Sequence, residues 1–361
     1  MQIKYAFFGK NIMKRVKFMK NRIDLEKFNV RTDLVIDNDL HENEIQKKKV
    51  NNSIEISTIE VNDQLSTLLH KKKGCYITIE FMDITNHEDQ LEIEKCLEEE
   101  ICNLLKRKKI QKEDECLILG LGNRQSTADS LGPATLDNVM VTRHLFTLQT
   151  NVKDGIRPVA ALCPGVMANT GIETYDIVTS IIQKIQPKFL IVIDSLASSS
   201  IDRINKTIQL TDAGIHPGSG IGNNRKEISM DTIGIPVIAI GVPTVVESSI
   251  IVSDTIDYIF QHLSYIKKHY AENKLIVGRG NHKQYLEQIR TQNLSEYEKK
   301  EVSGILGELD SQEKKELILE VLNSIDYNMI VTPKEIDFLI DKLSATIAQA
   351  INKGLHAAVK D

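Results

Sequence analysis

Asp194 follows five consecutive apolar residues, Phe189-Leu190-Ile191-Val192-Ile193. A carboxyl at the end of a buried apolar strand loses hydration, which raises its pKa and fits it to hold a proton. Asp129 stands in a comparable place, after the apolar run at 116–121 and the turn Gly120-Leu121-Gly122-Asn123. Two acids at neighbouring strand ends can share a proton, one activating water while the other donates to a leaving group. Each also has a plain structural reading, as the N-cap of a helix that follows it. Residue types alone leave both readings open.

Other chemistry finds less support. His216 lies in Ile215-His216-Pro217-Gly218-Ser219-Gly220, just after Asp212, where it could be a proton shuttle, a metal ligand or a structural loop residue. Gly218 and Gly220 could cradle an anion or simply make a tight turn. Ser219 is not in a nucleophile elbow, because Pro217 stands where that motif needs glycine. Cys163 precedes a proline and has no local base. The glycines after residue 119 lack the third glycine of a dinucleotide fingerprint, Gln125 standing there, and there is no phosphate loop and no His-Glu-x-x-His. No cofactor and no metal are therefore expected.

The elements that must position the two acids are legible as a change of pattern. Residues 53–61 and 75–82 alternate as strands, and 89–109 carry a helical stripe with acids first and lysines last. From about 115 to 262 the strands become almost wholly apolar: 116–121, 158–162, 189–193 and 237–240. Helical patterns fall between or after them at 174–185 and 245–263. Continuous apolar strands alternating with helices predict a doubly wound α/β core, its sheet mostly parallel and covered on both faces. In such sheets, sites form outside the carboxyl ends of the strands. Residues 311–325 and 332–359 read as C-terminal helices, while 264–300 read as an insertion or a loop.

The 361 residues are 41% hydrophobic and 26% charged with net charge -5, which does not suit a protein working mainly by neutralising nucleic-acid phosphate. Trp is absent and aromatics reach 5%, too few for base-stacking platforms. Five cysteines without a Cys-x-x-Cys suggest reduced thiols in a cytosol-like compartment. No apolar run is long enough for a membrane span. The first 22 residues hold seven Lys/Arg and no acid. They read as a basic tail or a misassigned start, because Tyr5-Ala6-Phe7-Phe8 is too short for a signal-peptide centre.

The motifs taken together resemble a known family. Asp129-Ser130-Leu131-Gly132-Pro133, Val141-Thr142-Arg143-His144-Leu145-Phe146, Thr170-Gly171-Ile172-Glu173-Thr174 and Ile193-Asp194-Ser195-Leu196-Ala197 look like the germination proteases of spore-forming Firmicutes. So do Gly214-Ile215-His216-Pro217-Gly218-Ser219-Gly220, the stretch 234–246 and Val331-Thr332-Pro333-Lys334-Glu335-Ile336-Asp337. The likeness runs from about Asp24 to the C-terminus. It departs at Ala128, where the family has proline, and in the basic residues 1–18, which precede the usual start.

The resemblance implies an atypical aspartic endopeptidase with a core like that of the hydrogenase maturation proteases, and its two essential acids fall on Asp129 and Asp194. It implies a self-processing zymogen and a homotetramer in the forespore and spore core. The substrates would be small acid-soluble spore proteins, without direct contact to nucleic acid. Translation would begin at Met19, and the cut would fall between Asp33 and Leu34 of Arg31-Thr32-Asp33-Leu34, removing 15 residues. Residues 1–33 would then be extension and prosegment, and 34–361 a single peptidase domain. An acidic side chain before the cut needs a cationic pocket. Arg143, Arg203 and Arg225 are candidates for it, each also readable as a surface ion-pair partner.

Overall fold

The computed structural model describes residues 32–38, 40–148, 151–217, 225–269, 289, 291–325, 327 and 329–359. Residues 1–31, with the Met19 start and most of the prosegment, lie outside them, as do Gly218, Ser219 and Gly220 and most of the stretch 264–300.

A sheet of nine strands forms the framework: β1 (Gln46–Lys49), β2 (Ile54–Val61), β3 (Gly74–Phe81), β4 (Cys116–Gly120), β5 (Val159–Leu162), β6 (Phe189–Ser198), β7 (Thr207–Thr211), β8 (Val237–Glu247) and β9 (Ile330–Val331). Their order is β1-β2-β3-β7-β8-β6-β4-β5, with β9 added to β8. The centre, β5-β4-β6-β8, is parallel, as the apolar runs require. The remaining strands extend it antiparallel.

Period-two alternation sends each strand's side chains to two cores. Ile118, Ile191, Ile193, Ile238 and Ile240 meet the helices His87–Arg107 and Ile336–Leu355 on one face. Leu117, Leu119, Leu190, Val192 and Val237 meet the helix Thr174–Ile185 on the other. The α/β class with helices on both faces is thus the observed one. Three strands had no counterpart in the sequence reading: β1, β7 and β9. Strand β6 also runs on through Asp194 to Ser198, and β8 through to Glu247.

The chain divides into two compact units, one of 31–247 with 330–361 and one built on Ser248–Met329. The first carries the sheet. In the second, the helices Ser248–His269 and Ser311–Ser324 pack on each other. The latter starts on a capping box in which Asp310 and Glu313 satisfy each other's main-chain N–H groups.

The glycines near the end of β4 serve packing. A Cβ on Gly132 would lie 2.3 Å from the Leu121 carbonyl oxygen and 2.7 Å from that of Ile193. The helix Leu131–Leu136 therefore approaches the end of β4 and the middle of β6 more closely than a side chain at position 132 allows. Gly132→Ala is expected to lose about 1–3 kcal/mol or more through this overlap, read as a lower urea midpoint. An unchanged midpoint would mean that the close approach is not needed.

Candidate active site

Asp194 is inside β6, not at a helix start, so the capping role does not apply. Following the alternation of Leu190 and Val192, its side chain leaves the second face of the sheet where that face's apolar cover ends. It is 6% exposed, and its Oδ1 accepts a hydrogen bond from the Ser195 N–H at 2.9 Å. Asp129 closes a short 3-10 turn, Thr127–Asp129, beyond the end of β4. It does not cap either: Ser130 occupies the N-cap position of the next helix.

Three contacts fix the Asp129 turn. Its carbonyl accepts from the Asn123 N–H at 2.8 Å. The Thr244 hydroxyl of β8 donates to the Ala128 carbonyl at 2.6 Å, and Thr332 in turn donates to the Thr244 carbonyl at 2.8 Å. Gly122 has φ +109°, and a Cβ there would lie 2.1 Å from the Asp129 carbonyl oxygen. That position needs glycine for both reasons.

Asp129 and Asp194 line one cavity of about 370 Å³, together with Asp33, His216 and Arg225. Burial pushes the Asp194 carboxyl well above the ordinary carboxylate range, and the charges of Asp129 and Asp33 push it further; the Ser195 N–H and Arg225 oppose them. Burial raises Asp129 as well, against the Asn123 N–H and Arg225. Two acids in one cavity therefore differ in environment. Each has an N–H and Arg225 favouring its ionised form, but Asp194 is the deeper and it alone is raised by neighbouring negative charge.

The basic candidates separate. Arg225 lines the cavity and acts on both acids. Arg143 pairs with Glu115, and Arg203 bridges Asp37 at 2.7 Å and Glu80 at 3.1 Å. Neither lines the cavity, so the pocket for an acid expected at Arg143 or Arg203 is not found there. His216 is at the rim, half-exposed, with Nε2 3.3 Å from Glu227. Among the described residues no group of three or more His, Cys, Asp or Glu could hold a metal.

Asp33 is also at the site, with Leu34 buried next to it in the chain. The Asp33 N–H donates to the Ala197 carbonyl at 3.0 Å, and the Ala197 N–H donates back to the Asp33 carboxylate at 2.9 Å. Gln209 of β7, buried, donates to the Asp33 carbonyl at 3.4 Å and accepts from the Val35 N–H at 2.8 Å. Sequence reasoning missed Gln209 because β7 was not visible. The sheet register explains its place: Asp194 and Gln209 both pair with Gly241 of β8, from opposite sides.

The sequence profile of the germination protease family matches residues 26–361. The chain belongs to the germination protease family. A germination protease of Bacillus velezensis is 42% identical over 355 residues, covering 94% of this chain and 96% of its own length. Those of Priestia megaterium and Bacillus subtilis are 41% and 40% identical, each over 94% of this chain and 97% of their own. Among solved structures, the [NiFe] hydrogenase maturation protease HycI of Thermococcus kodakarensis is similar at TM-score 0.24 and 17% identity, over 36% of this chain and 74% of that one. The family makes this chain a protease of spore germination. Among the described residues no helix is long and apolar enough to cross a membrane.

The buried acid has a measurable consequence for stability. With its pKa raised on folding, Asp194 binds its proton more tightly folded than unfolded. Stability then falls as pH rises from the ordinary carboxylate range through the raised folded pKa, and the cost is complete above it. Asp194→Asn has no such cost. The variant is expected to melt higher than the parent at neutral pH, on the order of 2 °C or more, with the gap closing below the ordinary carboxylate range. A gap independent of pH would mean that Asp194 is not a buried titrating group.

Proposed function

We propose that the chain is an aspartic-type endopeptidase that begins the degradation of small acid-soluble spore proteins in the germinating spore, using Asp129 and Asp194 without a cofactor. The observation that carries the reading is the pair itself: two carboxyls in one cavity, both raised by burial, one further raised by the other's charge. Like charges brought close cannot both ionise freely, so the pair favours a state with one proton.

The asymmetry supports one assignment of roles. Asp129, ionised, takes a proton from water as the water oxygen adds to the peptide carbonyl carbon. Asp194, protonated, gives its proton to the carbonyl oxygen. When the tetrahedral intermediate collapses, the proton on Asp129 passes to the leaving nitrogen as the C–N bond breaks, and Asp194 recovers its own from the hydroxyl. The pair returns to its starting state. Water is the only reactant added.

The same reading includes a self-processed zymogen and a homotetramer. The presence of Asp33 in the Asp129/Asp194 cavity supports a cut between Asp33 and Leu34.

Asp129→Asn and Asp194→Asn are each expected to fold and to lose about 10²–10⁴-fold in cleavage of a spore protein, with the parent insensitive to EDTA. Activity of either variant within a few-fold of the parent would overturn the acid pair. Loss to EDTA with recovery on added zinc or nickel would replace it by a metal mechanism. Mass spectrometry of protein from developing and dormant spores should find a precursor starting at Met19 and an active form starting at Leu34. An active form that begins before Leu34 would refute the processing step. A precursor starting at Met1 would refute the start site alone.

A further inference from the structure

Next to the aspartate cavity lies a second one, of about 290 Å³, and Asp33, Leu196 and His216 line both. Lys71 and Lys72 line only the second. Asp33 stands at the join between them, and the segment 32–35 that carries it is held in a fixed register. The Lys71 ammonium donates to the Thr32 carbonyl at 2.7 Å, Ala197 pairs with Asp33 through both main-chain groups, and Gln209 spans the Asp33 carbonyl and the Val35 N–H. This is how a peptidase groove holds an extended peptide, with main-chain bonds for register and one side chain presented to a pocket.

The cations around these cavities are not equivalent. Lys72 is engaged by Glu227, by Asp231 and by the Ser229 hydroxyl. His216 faces Glu227. Arg225 acts on Asp129 and Asp194. Lys71 differs. Its side chain is half-buried, its ammonium carries three donors, and among the described residues it makes one hydrogen bond, to a main-chain carbonyl. Its charge acts on Asp33 and Asp37, yet burial still pushes it below the usual lysine range. Asp37 is already bound by Arg203. An ammonium so placed gains from a carboxylate set against it.

We propose that Lys71 and the main-chain N–H of Ala197 form the slot that takes the acidic side chain just before the bond to be cut, and that Asp33 fills this slot in cis. The inference rests on the peptidase reading of the Asp129/Asp194 cavity. It places the specificity cation on the loop between the helix Asp63–Leu69 and β3, not on any of the three arginines. It also gives substrate and N-terminal segment one shared slot, so the two compete for it.

Two peptides identical except for Glu or Gln before the cleaved bond test it, with kcat/KM measured for each on the processed enzyme. The parent should prefer the Glu peptide. Lys71→Gln should lower the Glu/Gln ratio by roughly 10- to 100-fold, the value of one charge-assisted hydrogen bond, through KM for the Glu peptide. Lys71→Arg should keep the preference. A Lys71→Gln enzyme with the parent's ratio overturns the proposal. An independent arm leaves Lys71 intact: Asp33→Asn in the full chain should slow the cut at Leu34, and Asp33→Glu should not. Unchanged processing of Asp33→Asn also overturns it. Peptide cleavage that survives Asp194→Asn would fail the peptidase reading itself, a different result from either.

Discussion

A carboxyl that keeps its proton while facing another carboxyl requires a site where water cannot dilute either charge. Asp194 has that site because β6 continues past the end of its apolar run and carries the acid within the protein, 6% exposed. Ionising it there costs free energy that water would otherwise supply. Isolated, such a residue would only destabilise the fold. The parallel strands on either side, buried on both faces, provide the rigid edge that tolerates it.

Holding Asp129 opposite demands equal rigidity from a turn, which is harder because a turn has no ladder of hydrogen bonds. Here the solution is close approach. Gly122 and Gly132 remove side chains where the turn and the following helix touch the strands, and Thr244 ties the Ala128 carbonyl to β8. The glycines that first suggest a nucleotide loop thus belong to the aspartate geometry. Their spacing is set by the backbone of the protein, not by a phosphate.

The sheet's centre is legible in the sequence because burial on both faces leaves no room for polar residues, so its strands are unmistakable runs. The antiparallel half is less so. Strand β7, Thr-Ile-Gln-Leu-Thr, is wholly buried yet alternates with polar residues, and nothing local separates that pattern from a surface strand. Its burial comes from β3 and β8, which are distant in sequence. Asp129 and Asp194 could be found, because each follows an apolar run. Of the cations, Arg225 was among the candidates and lines the cavity, whereas Lys71 was not. Arg143 and Arg203 were candidates by charge alone, and their partners, Glu115 and Glu80 with Asp37, are fixed by folding. Lys71 sits in Lys71-Lys72-Lys73, which reads as a solvated turn. Only the docking of residues 32–35 gives its ammonium a different surrounding from those of its two neighbours.

The third carboxylate connects specificity to chemistry. Asp33 is one of the charges that hold Asp194 in its protonated form. On the proposed reading, processing removes Asp33 and with it part of that field, leaving Asp194 easier to ionise and the pair less suited to donate a proton. An acidic substrate side chain entering the same slot restores a negative charge at the same place. A neutral side chain does not. The acid before the cut would then act twice, once as a ligand for Lys71 and once by keeping the proton on Asp194 that the peptide carbonyl must receive. Selectivity of this kind would appear in the turnover rate as well as in binding, because a neutral substrate would leave burial and Asp129 alone to hold the proton on Asp194.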